Sequence, residues 1–162
     1  MTLVAQMALI ALVIGTSVTA AATGRVDASL VLSGFAAWSF VPLVQMLTGL
    51  VLTRGTAVAK RHALEQYFAT HWPWSLWILS VHAAFLLSGA VHATAAWIAV
   101  TGVVPVIWTV RLLIAFCRET LHLDAARARM RVAQHQALTL VAAIVYVHFA
   151  VALWPRLLGW LS

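Results

Sequence analysis

Five apolar runs, separated by short polar or basic interruptions, set the plan of the chain. They cover residues 3–22, 30–52, 76–100, 103–123 and 136–154. Each is close to the roughly 20 apolar residues that cross the hydrocarbon core of a bilayer as a helix. The pattern predicts an all-α integral membrane protein, a single polytopic bundle of about five transmembrane helices over residues 1–162. Between the second and third runs the periodicity changes. Leu64, Tyr67, Phe68 and His71 recur at helical spacing behind Arg54, Lys60 and Arg61. This predicts a short interfacial amphipathic helix over about residues 57–71, stopped by Pro73. Trp72, Trp74 and Trp77 follow where an amphipathic indole marks a membrane surface.

Several interruptions carry information of their own. Thr19 to Ala22 have the small residues of a signal cleavage site, yet no Lys or Arg precedes the apolar core, so a retained first helix is expected. Pro42 should bend the second run near Trp38, and Gln45 and Thr48, three apart, should turn a polar stripe inward. The third run is expected to end at Thr101-Gly102, with Pro105 opening the fourth. Arg111 sits near the middle of that fourth run at an insertion cost of about 2.5–3.5 kcal/mol, which its apolar neighbours outweigh. Arg118 to His135 reads as an arginine-rich helical extension facing water.

Charge then fixes an orientation. Seven of the ten Lys and Arg residues lie in the 53–75 and 118–135 segments, on one side of a five-helix bundle together with the N-terminus. The bias predicts an inner-membrane protein with its N-terminus in the cytoplasm. Composition agrees: 64% of the residues are apolar and 9% are charged, against about 25% charged in soluble domains. The net charge of +6 does not imply a nucleic-acid partner, because the arginines flank apolar runs beside anionic lipid headgroups. A single cysteine, Cys117, excludes an intrachain disulfide and a thiolate metal cage.

Candidate chemistry is confined to a few side chains. By helical rise, His82 lies roughly 9 Å into the third run, His92 roughly 24 Å, and His148 roughly 18 Å into the fifth, near the level of Arg111. His92 and His148 are therefore the candidate axial ligands of a b-type haem iron, with Arg111 as a propionate partner and His82 in a second layer near Gln45. Against that stands the angle of roughly 80° between His82 and His92 around one helix. Hydrogen bonding of each imidazole to a neighbouring helix, through partners such as Thr109 or Tyr146, is the simpler expectation. None of the four acids lies in the interior of a run, Glu119 standing near the end of the fourth and Asp27, Glu65 and Asp124 outside the runs, which disfavours a carboxylate-driven carrier. Gly89 and Ala93 form a small-residue face suited to close helix packing.

The leading expectation is thus a non-catalytic subunit or anchor of an inner-membrane assembly, in contact with the lipid bilayer and with a membrane-protein partner or a second copy. The alternatives are a haem- or quinone-associated electron-transfer subunit, and a small channel or carrier with a histidine-lined path.

Overall fold

The computed structural model describes residues 2–88 and 95–149, and among these every regular element is a helix. The first is α1, Leu3–Thr23, capped by the Thr2 hydroxyl, which accepts the Ala5 N–H at 3.3 Å. It ends at Gly24, whose φ of 68° is the left-handed conformation that glycine adopts without a Cβ penalty. Asp27 then caps α2, Ala28–Trp38, by accepting the Leu30 N–H at 2.9 Å. The turn returns α2 along α1, and the two backbones meet at Gly15 and Gly34. A Cβ on either glycine would run into the other's backbone or the Thr19 hydroxyl, so no larger residue fits that crossing.

A break at Ser39 separates α2 from α3, Phe40–Leu52. Pro42 sits in the first turn of α3, where a missing N–H costs nothing, and the Ser39 hydroxyl donates to the Phe35 carbonyl at 2.6 Å. The bend expected near Trp38 is therefore a clean interruption. After a short turn come α4, Lys60–Ala69, and α5, Trp72–Ser88, with Pro73 in the first turn of α5.

The helix expected at the interface is present, but its apolar side does not face lipid. Ala63, Leu64, Tyr67 and Phe68 are buried against α3, α6 (Ala95–Glu119) and their neighbours. The core cluster joins Leu52 at the end of α3, Leu113, Phe116 and Cys117 on α6, and Ala128 and Val132 on α7 (Ala125–His148). The tightest packing thus lies at the end of the molecule that carries the basic segments.

The expected boundary at Thr101-Gly102 is corrected. Both residues lie inside α6, which runs unbroken through Pro105. Thr101 accepts the Trp77 N–H at 3.2 Å, and a Cβ at Gly102 would sit in ordinary contact with the Trp77 ring at 3.5 Å, so both residues lie on the face of α6 that meets α5. Trp72 also meets Trp108 edge-on, with ring centroids 4.5 Å apart. These two pairings make α5 and α6 antiparallel, so the expected third span of 76–100 is divided between two helices. Gly89 and Ala93 lie outside the described residues.

A turn at Thr120–Asp124 holds His122 at a φ of 53°, and Asp124 caps α7 through the N–H groups of Ala126 and Arg127. Those two donors hold the Asp124 carboxyl below the usual carboxylate range. Arg131 departs from the expected solvated arginine row. Its guanidinium donates to the carbonyls of Val51 and Leu52, at 3.2 and 3.1 Å, and so caps the C-terminus of α3.

Among the described residues, three stretches are long and apolar enough to cross a membrane: Leu3–Ala20, Ala28–Leu52 and Val100–Glu119. Large apolar side chains are exposed along these and neighbouring helices, Leu43, Leu47, Val103, Ile107 and Ile144 among them. Such a surface suits acyl chains and not water, which supports a membrane protein.

Candidate functional site

At the packed end of the bundle, a chain of polar side chains runs through the core. Gly49 leaves space for the Tyr67 ring, and a Cβ there would lie 2.8 Å from it. The ring is thereby brought across α3, so that its hydroxyl lies 2.8 Å from the Thr48 hydroxyl and 2.6 Å from His135 Nε2. His71, at the junction of α4 and α5, closes the group. Its ring centroid is 4.7 Å from that of Tyr67 and 5.7 Å from that of His135. Thr48, Tyr67, His71 and His135 are all buried.

Proton positions follow from which partners can only accept. The Thr48 hydroxyl lies 3.1 Å from the Gln45 carbonyl and donates to it. Thr48 Oγ1 then accepts from the Tyr67 O–H, and the Tyr67 oxygen accepts from His135 Nε2–H. Every bond in the chain carries one proton, and His135 Nδ1 is left with a bare lone pair. His71 has the opposite tautomer: its Nδ1 lies 3.2 Å from the Tyr67 carbonyl, to which it donates, leaving Nε2 unprotonated. Burial and the neighbouring His135 push the His71 pKa down to about 4. Burial pushes the Tyr67 phenol well above its ordinary value. The His71 imidazole is neutral at physiological pH.

His71 and His135 lie on the wall of a half-open cavity of about 360 Å³ bordered by α1, α2, α3, α5, α6 and α7. Its other walls are mainly apolar and aromatic, with Trp38, Phe40, Trp74 and Tyr146 around it. Phe40 and Tyr146 stack at a centroid distance of 3.4 Å and tie α3 to α7 beside it. Gln45 Oε1, Thr109 Oγ1, His135 Nδ1 and Thr139 Oγ1 belong to lining residues, and each is buried without a hydrogen-bond partner. A fifth such atom, Gln6 Oε1, belongs to a neighbouring hollow of about 400 Å³ between α1 and α5. His71, Ile10 and Ser75 border both spaces. Unpaired buried polar atoms are uncommon, at a cost of about 1–3 kcal/mol each.

The residues expected to carry chemistry lie elsewhere. Arg111 and His148 are exposed. His82 is half-buried and donates from Nδ1 to the Ile78 carbonyl of its own helix at 2.7 Å. None of the three lines the cavity, and His92 lies outside the described residues. The inward stripe of Gln45 and Thr48 does reach the site.

Tyr67, His71 and His135 were missed because they fall in segments whose arginines read as water-facing. Their signal is nevertheless present as helical spacing. Tyr67 and His71 follow Leu64 on one face, and His135 continues the row Ala128, Val132 that leads on to Thr139. No protein-family model matches the chain, and it has no match among curated proteins or solved structures.

Proposed function

We propose that this chain is a small polytopic membrane protein that binds an uncharged amphiphile in the cavity beside His71 and His135. The observation that carries the reading is the mainly apolar, aromatic-lined cavity itself, with His71 and His135 among its lining residues. Its volume falls within the roughly 300–1,000 Å³ of small-molecule sites, and a few convergent polar groups in an apolar wall are the usual composition of such sites.

The topology that goes with this function has five crossings: α1, the α2–α3 pair, α5, α6 and α7, with α4 folded against one end. At about 1.5 Å per residue, the 17 residues of α5 extend about 25 Å, enough to cross most of the hydrocarbon. Exposed Arg54, Lys60, Arg61, Arg118, Arg127 and Arg129 would then share the side of the N-terminus, which is cytoplasmic by their charge. The exposed apolar faces of α6 and α7 remain free for lipid or for the membrane partner of an anchor.

The test is binding of the neutral fluorophore 1-aminoanthracene to the full chain in lipid nanodiscs. Saturable emission excited through Trp38 and Trp74 is expected, and Val44→Phe, which fills the cavity, should weaken it. A signal no larger than that of empty nanodiscs would refute the pocket reading.

A further inference from the structure

The cavity and the hollow between α1 and α5 share a wall, and their joint shape narrows the ligand class. We infer that the two spaces are lobes of one site, and that the occupant is an amphiphile with a linear alkyl tail, its body in the cavity and its tail laid along the hollow. The inference rests on the pocket reading above and adds the form of the ligand.

Ile10, His71 and Ser75 border both spaces, so at that neck the partition is a single side chain thick. Ile10 and Ser75 keep part of their surface, and a side chain there can turn between staggered rotamers without moving the backbone. Beyond the neck the hollow, of about 400 Å³, has mainly apolar walls, Val13 of α1 and Phe68 of α4 among them. Its rim reaches the outside of the bundle, where Leu9 on α1 is 47% exposed and Trp72 on α5 is 45% exposed. Leu9 belongs to a stretch apolar enough to cross a membrane, so a tail that leaves the hollow there meets acyl chains and not water. An alkyl chain is as well placed among lipid tails as against leucine or valine, so the hollow contributes room and not attraction. It lets a tail longer than the cavity accommodates pass the neck, which makes space the quantity to test.

The probes are 4-propylphenol and 4-octylphenol, which share a ring and differ in tail length. Each would be titrated against bound 1-aminoanthracene in nanodiscs holding the full chain, with membrane partition of both measured on empty nanodiscs. In the wild type the two should displace the dye at membrane concentrations within about twofold of each other, since the tail neither gains nor loses by leaving lipid. Val13→Phe and Ala69→Phe narrow the hollow from α1 and from α4. In each, the dye and the propyl compound should bind as before. The octyl compound should need about tenfold more, the lower end of what forcing methylenes into a filled space costs. An octyl compound already excluded from the wild type, or one unaffected in both variants, overturns the inference and leaves the pocket standing. So does a propyl compound that weakens as much as the octyl one. Failure of the dye itself to bind the wild type removes the pocket, and the inference with it.

Discussion

Tyr67→Phe is the most informative single change, because it removes one oxygen and leaves the ring in its slot against Gly49. The side chain is fully buried at 0% exposure, so no solvent replaces the lost partner. Two hydrogen bonds disappear, to Thr48 at 2.8 Å and to His135 at 2.6 Å. At about 0.5–1.5 kcal/mol net for each bond, with a further penalty for leaving His135 Nε2–H without an acceptor, the loss comes to about 3 kcal/mol. For a chain of this length that is roughly 6–12 °C in Tm. The assay is thermal unfolding in detergent, followed by helical circular dichroism and by tryptophan emission in parallel. Thr48→Val should cost less, since it breaks one bond of the chain and leaves Tyr67 paired with His135. The double variant should fall short of additivity by about 1 kcal/mol, because the shared bond is lost once. A Tm within 2 °C of wild type for Tyr67→Phe, or strict additivity, would refute the argument that this oxygen holds α3, α4 and α7 together.

Acid should weaken the fold in a defined window. With a folded pKa near 4 against 6.5 unfolded, His71 leaves the native state with fewer bound protons than the unfolded chain between those limits. Stability is therefore expected to fall as pH drops from about 6.5 to about 4, by up to about 3 kcal/mol, and to change little with this group below that. Melting curves across the range, repeated with His71→Gln, check this, and a flat wild-type profile would contradict it. At the α1–α2 crossing, Gly15→Val should cost about 3 kcal/mol or more, since its side chain would enter the Gly34 backbone. Leu12→Val, at an exposed position of the same helix, should stay within about 0.5 kcal/mol, and equal Tm losses for the two would count against the close approach. Arg131→Met keeps most of the side-chain volume while releasing the Val51 and Leu52 carbonyls. It is expected to lower stability by about 1–2 kcal/mol, with Tm again the readout and no measurable loss the contrary result.

The helical class and the apolar stretches were legible because hydropathy averages over a whole span. Span ends were not legible to the same degree. Thr101, Gly102 and Pro105 look like punctuation, yet all three lie inside α6, where Thr101 accepts the Trp77 N–H and Gly102 sits beside the Trp77 ring. These are contacts with α5, and no local window contains them. The same holds for Arg131, whose role depends on carbonyls 79 and 80 residues away.

The site was hidden by a different effect. A histidine alone in an apolar run attracts attention because its insertion cost is obvious, and His82, His92 and His148 were singled out on that ground. A histidine among arginines looks solvated, although burial is decided by the helix face and not by the average polarity of a segment. On α7, Arg127 and Arg129 are exposed while Ala128, Val132 and His135 are buried, so one helix carries a solvated face and a core face through the same stretch. The α4 segment does likewise, with Lys60 and Arg61 outside and Leu64, Tyr67 and His71 inside. Two amphipathic helices meeting at the basic end of an apolar bundle can therefore bury titratable groups without placing them at mid-membrane. The charged faces stay exposed, and the core faces close around Tyr67, His71 and His135. Such an arrangement places the His71 and His135 imidazoles on the wall of a mainly apolar cavity toward the basic end of the bundle.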